Sequence, residues 1–365
     1  MTELLRRPGR FVLAGVVLTL ISLLLMLLGG LLDGLIASST GAYRAQPGDL
    51  ISYSSRSENS LVRSRITASD RSVVSQTPGV QAVGGLGSIQ LGARPGDDPK
   101  SRDPFATVLF GYELAPRGLP ATPPAQGSVY ADDVLAGDGV AVGDTLLLGP
   151  QRSPVKVRGF VTDTRYAGQA SLWGSLATWR AVTTENRPGQ TPGDTVQALI
   201  VETGASPPAT VAQTIDEATD GRTTTLTVTR ATQELPGVAQ QTATFNQIIG
   251  VTVLVALVVV ALFFALITVE RTAQYGLLKA IGASGFTLFG GLIAQAIAVT
   301  LVAAAIGVGA AVVFAAVLPP GAIPFQATPA RLAGNVGLML LASVFGCAFS
   351  LRRVLRIDPA SAIGS

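Results

Sequence analysis

Few of the 365 residues have the chemistry of an enzyme. There is no histidine, and the one cysteine is Cys347. Without histidine there is no Ser-His-Asp triad, no HExxH zinc site and no imidazole acid–base chemistry. No G-x-x-x-x-G-K-[ST] run occurs, so the chain has no P-loop of its own to hold a nucleotide. Two carboxylate pairs, Asp97-Asp98 and Asp132-Asp133, have the charge to hold a cation. Adjacent acids in loops rich in Gly and Pro read better as solvated turn residues. Trp173 and Trp179 lie six apart and read as core, or as a membrane-facing contact, rather than as a ligand box. No metal or cofactor is expected.

One stretch has the spacing of a contact surface. Within Glu270–Ser284 (ERTAQYGLLKAIGAS), Arg271, Tyr275, Leu278 and Gly282 follow one another by four, three and four. That places them near one face of a helix, and Gly282 suits a helix stop. Lys279 adds a second cation to the same segment. The plainer reading is a connecting loop.

The elements that hold these residues follow from charge. Only 13% of residues are charged, against about 25% in soluble domains. Four stretches have no Asp, Glu, Lys or Arg: Phe11–Leu32, Ile248–Val269, Phe286–Leu318 and Leu332–Leu351. A helix needs about 20 apolar residues to cross a hydrocarbon core of about 30 Å. Four such runs together read as four membrane spans rather than buried helices of a soluble protein. The third run is long for one crossing, so its start, Phe286–Gly291, is expected to form an interfacial elbow. The first exceeds the apolar core of a cleaved signal, about 7–15 residues, and reads as a retained helix.

Basic residues orient the chain. Arg6, Arg7 and Arg10 precede the first span, Arg271 and Lys279 lie between the second and third, and Arg352, Arg353 and Arg356 follow the fourth. The loop between the third and fourth has only Arg331. Both termini and residues 270–285 are therefore expected in the cytoplasm, with residues 33–246 outside. The expected order is a cytoplasmic N-terminus (1–10), span one (11–32), an extracytoplasmic domain (33–246) and span two (247–269). A coupling helix (270–285), elbow and span three (286–318), outer loop (319–331), span four (332–351) and cytoplasmic tail (352–365) follow. The excess positive charge lies on the inner face, where it meets anionic lipid or a protein partner; no nucleic acid is expected.

The outer segment is punctuated by Gly, Pro, Ser and Thr into short elements. Leu50–Tyr53, Val80–Leu91, Thr107–Tyr112, Thr145–Leu148, Val155–Val161, Gln197–Glu202 and Thr224–Thr229 read as strands. Thr67-Ala-Ser-Asp70 reads as a helix start. Pro208 opens a second helix with Val211, Ile215 and Ala218 on one face, closed by Gly221. Val129–Ala181 reads as small β pieces. The fold class is thus an α-helical membrane protein with four transmembrane helices and an α+β extracytoplasmic domain, an α/β lobe plus an inserted small β lobe.

Thr272–Ser284, with its Gly-Leu-Leu-Lys-Ala-Ile-Gly-Ala core, resembles the signature of FtsX/MacB-like ABC transporter permeases. The arrangement of one span, a large outer domain and three further spans resembles theirs too. Pro78-Gly79-Val80, Val142-Gly143-Asp144 and Leu235-Pro236-Gly237-Val238 stand where that family's outer domain carries similar text. Arg356-Ile357-Asp358-Pro359-Ala360 resembles its tail. Many members carry Glu-Ile or Glu-Phe where this chain has Gln274-Tyr275, which leans toward the DevC-like and heme-exporter branch.

The resemblance implies a non-catalytic subunit that works as a homodimer with two copies of a separate cytoplasmic ABC ATPase. Glu270, Arg271, Tyr275, Leu278, Lys279 and Gly282 are then the ATPase-coupling residues, and the mechanism is mechanotransmission. The substrate is hydrophobic or amphipathic, with heme, lipid, peptide and lipoprotein all open. Without histidine, heme would need Tyr, Met or Glu as ligand. The alternative is an FtsX-like regulator that recruits or activates a cell-wall enzyme through its outer domain. Glu234, the last acid before span two, marks a candidate ligand entrance; otherwise it is a solvated linker carboxylate. Gly30 and Gly34 form a G-x-x-x-G, a candidate dimer seam, and Ala303, Gly307 and Ala311 have the same small-residue spacing, which permits close helix contact.

Overall fold

The computed structural model describes residues 8–96, 104–235, 237–270, 285–317 and 323–355. It divides into two units, Met1–Gly34 with Gln241–Ser365, and Leu35–Gln240. In chain order the elements are α1 (Pro8–Arg44), β1 (Leu50–Ser54), α2 (Ala68–Gln76), β2 (Val80–Pro95), β3 (Phe105–Tyr112), β4 (Ser128–Asp132), β5 (Thr145–Leu148), β6 (Ser153–Val161) and β7 (Ala170–Ser175). After these come α3 (Leu176–Asn186), β8 (Ala198–Thr203), α4 (Pro208–Ala218), β9 (Thr223–Thr227), α5 (Val228–Gln233), α6 (Val238–Glu270), α7 (Gly285–Val317) and α8 (Pro329–Leu355).

In the membrane unit, α1, α6, α7 and α8 are each long and apolar enough to cross a bilayer. Both long helices that reach beyond the unit, α1 and α6, exceed what a crossing needs, at 37 and 33 residues. The expected elbow at Phe286–Gly291 is not a separate element, because Gly285–Val317 is one helix of 33 residues. A helix longer than the hydrocarbon is accommodated by tilt, with no break in its hydrogen bonds. The four helices bury Leu18, Leu25, Ala256, Val260, Leu292, Ala296, Ala303, Met339 and Ala342 against one another. Leu20, Leu24, Leu254, Leu262, Val302, Val313, Leu341 and Phe345 point outward, as residues facing acyl chains do.

Lipid tails are as apolar as leucine, so helices associate through close packing of small residues. Gly307 of α7 illustrates this: a Cβ there would lie 2.7 Å from the Ser22 Cβ and 2.8 Å from the Thr19 carbonyl of α1. Ala303 and Ala311, one turn to either side, are buried at 2% and 0% exposure. The small-residue spacing of span three therefore serves a helix contact within the chain.

In the inserted unit nine strands form one sheet in the order β3-β7-β4-β6-β5-β2-β8-β1-β9, with β3 also paired to β2. The 16-residue β2 makes this possible by changing neighbours along its length. Its first half pairs with β8, and residues 86–93 pair with β3 on the other edge; Ala93–Pro95 then pair with β5. Strands β2, β5, β6, β4, β7 and β3 thereby close a ring, while β8, β1 and β9 extend from it as an open sheet. The ring holds the strands of the expected inserted β lobe, β4 to β7, but needs β2 and β3 from outside Val129–Ala181 to close; the open sheet carries α2 and α4.

Local chemistry starts and stops these elements as the sequence predicts. Thr67 Oγ1 accepts from the Asp70 amide at the head of α2. Gly221, with φ of +68°, follows α4. The buried stripe of α4 is Val211, Ile215 and Thr219; Ala218 is exposed. The β reading of Val129–Ala181 is corrected at its end, because Leu176–Asn186 is a helix capped by Ser175, whose Oγ accepts from the Thr178 amide. Trp and Thr favour strands in isolation, and tertiary packing overrides that preference here. Both tryptophans are core, at 0% and 1% exposure. Gly87 and Gly111, paired across β2 and β3, make the seat for Trp179: a Cβ at Gly87 would lie 2.4 Å from its indole ring.

Asp132 is also corrected. It is not a solvated turn residue but 1% exposed, accepting from the Thr164 amide and hydroxyl at 3.2 and 2.9 Å. Burial raises its pKa, partly offset by those hydrogen bonds. Asp133 beside it is exposed. Asp97 and Asp98 lie outside the described residues.

Candidate functional site

The membrane unit contains a cavity of about 430 Å³ between α1, α6 and α8. Its lining has two characters. Leu25, Ile249 and Leu338 are apolar, while Asp33, Thr328, Arg331 and Asn335 are polar. The polar end is built on the start of α8. Thr328 precedes Pro329, which suits the first helical position because its missing N–H would have had no partner there. The Thr328 hydroxyl accepts from the Arg331 amide at 3.2 Å, a helix cap. The cap fixes the first turn, and Arg331 projects from it toward α1.

There its guanidinium meets Asp33. Nε donates to Oδ2 at 2.9 Å, and Nη2 donates to Oδ1 in a second, shorter contact. Two parallel hydrogen bonds from a planar fork fix orientation as well as charge. The side chains are 27% and 22% exposed. One turn further along α8, Asn335 donates to the Ser22 carbonyl and hydroxyl of α1 at 3.2 and 3.1 Å. Ser22 Oγ in turn reaches the Ala304 carbonyl of α7 at 3.4 Å. Three helices are thus joined by polar contacts among residues at most 3% exposed. Polar groups placed at membrane depth are expensive, and face a bundle interior or a cavity when they occur.

The sequence-predicted site residues fall in different places. Gly30 and Gly34 face the chain's own segment before α8. A Cβ at Gly30 would lie 2.4 Å from the Phe325 ring, and one at Gly34 would lie 2.1 Å from the Pro324 carbonyl. The Gln326 amide donates to the Gly30 carbonyl at 2.9 Å. Within one chain this G-x-x-x-G packs against Pro324 and Phe325. Glu234, in the inserted unit, has both oxygens occupied, by Asn59 Nδ2 at 2.7 Å and Arg230 Nε at 2.8 Å. It ties the end of α5 to the loop at Asn59. Glu270 is the last residue of α6, and Arg271, Tyr275, Leu278, Lys279 and Gly282 lie outside the described residues. Asp33, Arg331 and Asn335 are site residues that motif spacing does not single out. Their signal is Arg331 itself, the one cation between the third and fourth apolar runs, and Asp33, the acid that ends the first charge-free run. Among the described residues no three His, Cys, Asp or Glu side chains are grouped to hold a metal.

Residues 246–359, which cover most of α6 and all of α7 and α8, match the FtsX-like permease C-terminal family. The chain carries an FtsX-like ABC transporter permease domain. Over nearly its full length the chain is similar to a putative hemin transport system permease protein HrtB of Staphylococcus haemolyticus. The two are 22% identical, with 97% of this chain and 95% of the relative covered. A protein of the same name from Staphylococcus epidermidis is 29% identical over 126 residues; that match spans 34% of this chain and 35% of the relative. Among solved structures, the periplasmic region of MacB from Actinobacillus actinomycetemcomitans is similar at 13% identity and a TM-score of 0.36. It is covered over 95% of its length by 53% of this chain. Permease subunits of ABC transporters are not themselves catalytic.

Proposed function

We propose that this chain is the transmembrane subunit of an ABC transporter that converts ATP hydrolysis on a separate cytoplasmic ATPase into movement of its outer domain. The observation that carries this reading is the continuity of α1 and α6. At 1.5 Å per residue they run about 55 and 50 Å, well beyond a hydrocarbon core of about 30 Å. Each runs on as unbroken helix past that length. A helix pushed at its inner end moves as a rod, so displacement is delivered to the outer domain.

The push enters through residues 270–284, the segment tethered at both ends to α6 and α7. Both termini lie in the cytoplasm in this reading, and a second copy of the chain completes the transporter. The transported molecule is hydrophobic or amphipathic, a class supported by a cavity lined both by Leu25, Ile249 and Leu338 and by Asp33, Arg331 and Asn335. Hemin, carried according to their names by the two staphylococcal relatives, belongs to that class and is the first substrate to test.

The deciding experiment is Tyr275→Ala combined with Leu278→Ala. Truncating an interface aromatic costs about 2 kcal/mol or more, roughly thirtyfold in affinity. The double variant should lose the ATPase during purification, or hydrolyse ATP without transport, while the permease still folds. Unaltered co-purification and transport would move the contact elsewhere, first to Arg352–Arg356. Orientation is checked by Pro150→Cys in a Cys347→Ser background, where labelling by an impermeant reagent only after lysis would overturn the topology.

A further inference from the structure

The inserted unit holds a second pocket, of about 140 Å³, walled by one face of α3. Trp179, Thr183 and Arg187, the residue that follows the helix, recur at four-residue spacing, so they line up as one stripe. Arg65, Gln90 and Gln190 stand around the same space.

The polar atoms of this pocket are out of balance. Trp179 is 1% exposed and Thr183 is 6%, yet the indole Nε1–H and the Thr183 hydroxyl have no hydrogen-bond partner. Buried polar groups are nearly always paired, because an unmade hydrogen bond forfeits the water it gave up. Two guanidiniums share the wall. Arg65 donates through Nη1 to the Val62 and Ser64 carbonyls, and Arg187 through Nη2 to the Gln90 carbonyl. Among the described residues neither meets a carboxylate, and no lining residue is acidic. Partial burial already lowers the Arg65 pKa. A water would pair the two orphaned groups but leave both cations without a counter-charge. An apolar guest would leave all four groups unmatched, and a cation would be repelled.

We infer that this pocket binds a compact oxyanion, a carboxylate or a phosphate group, held by Arg65 and Arg187 at its charged side and by the Trp179 indole and Thr183 hydroxyl at its neutral side. The exposed Gln190 at the rim turns aside to admit it. This site is independent of the transport reading and lies wholly within the inserted unit.

The test uses the full chain in detergent, labelled with ¹⁵N-tryptophan. There are two tryptophans, so two indole resonances. The Trp173 indole donates to Ser171 Oγ at 2.8 Å and serves as the internal control. Trp179→Phe assigns the peaks, and Trp173→Phe gives the same assignment if the first does not fold. Sodium acetate and sodium phosphate are titrated at fixed ionic strength against sodium chloride. The Trp179 resonance should move and saturate while that of Trp173 stays. Movement with acetate alone assigns a carboxylate, and movement with phosphate a phosphate. Arg65→Gln and Arg187→Gln should each weaken binding by about tenfold, the scale of one lost charge-assisted hydrogen bond. No movement beyond that with chloride, or undiminished affinity in both arginine variants, would overturn the assignment.

Discussion

Replacing Arg331 by methionine removes a guanidinium and keeps most of the apolar stem. Asp33 now receives two hydrogen bonds from that guanidinium, and a long one from the Thr328 hydroxyl at 3.5 Å. In the variant only Thr328 is left. Breaking a fully buried pair by removing one partner costs about 3–5 kcal/mol. With the side chains 27% and 22% exposed, surrounding water or headgroups take up part of the orphaned charge, and we expect about 2 kcal/mol. At about 2–4 °C per kcal/mol for a unit of this size, Tm falls by about 4–8 °C. Adding Asp33→Asn removes the stranded charge and should restore at least half of the loss. Cys347 supplies the assay. It is the one cysteine, sits on α8 and is 2% exposed, so a thiol-reactive fluorophore reports the opening of the membrane unit during heating. A single variant that melts with the wild type would refute the reasoning. So would a double variant that loses the sum of the two singles, since the groups would then not be coupled.

Three further outcomes follow from the same contacts. Gly34→Ala should destabilise the membrane unit by about 1–3 kcal/mol and more than Gly30→Ala, because its Cβ meets the Pro324 backbone rather than a ring that can turn; the Cys347 assay ranks them. Asn335→Leu should cost about 1–3 kcal/mol by the same readout, since it strips Ser22 of its partner on α8. Asp132 gives a pH test. Its folded pKa is raised, so its contribution to stability is full below about pH 3.9, the unfolded value, and is lost as pH rises through the folded value. Asp132→Asn should flatten that limb of the urea-stability profile of the inserted unit, followed by tryptophan fluorescence; a profile with the wild-type slope would assign it to another group.

The membrane architecture is legible because hydrocarbon imposes one rule, the exclusion of charge over about 20 residues, and four runs obey it. The lobes of the inserted unit are legible for a related reason: caps and turns such as Thr67 and Gly221 act on their immediate neighbours. What stays hidden is long in sequence or ambiguous in cause. The Asp33–Arg331 pair joins residues 298 apart, and nothing local to either points to the other. The double pairing of β2 depends on two edges of one strand meeting different partners, which alternation cannot encode. A G-x-x-x-G announces that something approaches closely without saying what. At Gly30 and Gly34 it is Phe325 and Pro324 of the same chain.

The boundary of a charge-free run also marks something narrower than a helix. The first run ends at Leu32, yet α1 continues to Arg44. Asp33 ends the run because charge is costly in hydrocarbon, but a charge does not end a helix. Gly34–Arg44 continues the helix's own backbone ladder, and Ser38 and Thr40 satisfy their hydroxyls by donating to the Leu35 and Ile36 carbonyls at 3.0 and 2.7 Å. On α6 the helix begins at Val238, ten residues before its strongly apolar stretch opens at Ile248; Gln240, Gln241, Thr242, Thr244, Asn246 and Gln247 make this first part polar though uncharged. In the proposed mechanism this excess length is the lever. A device that inserted a flexible Gly-Pro joint there would be predicted to keep the membrane unit folded and break transmission. Replacing Ala37-Ser38 by Gly-Pro should therefore leave ATP hydrolysis intact and abolish transport. Transport at the wild-type rate through such a joint would show that force reaches the outer domain by another route.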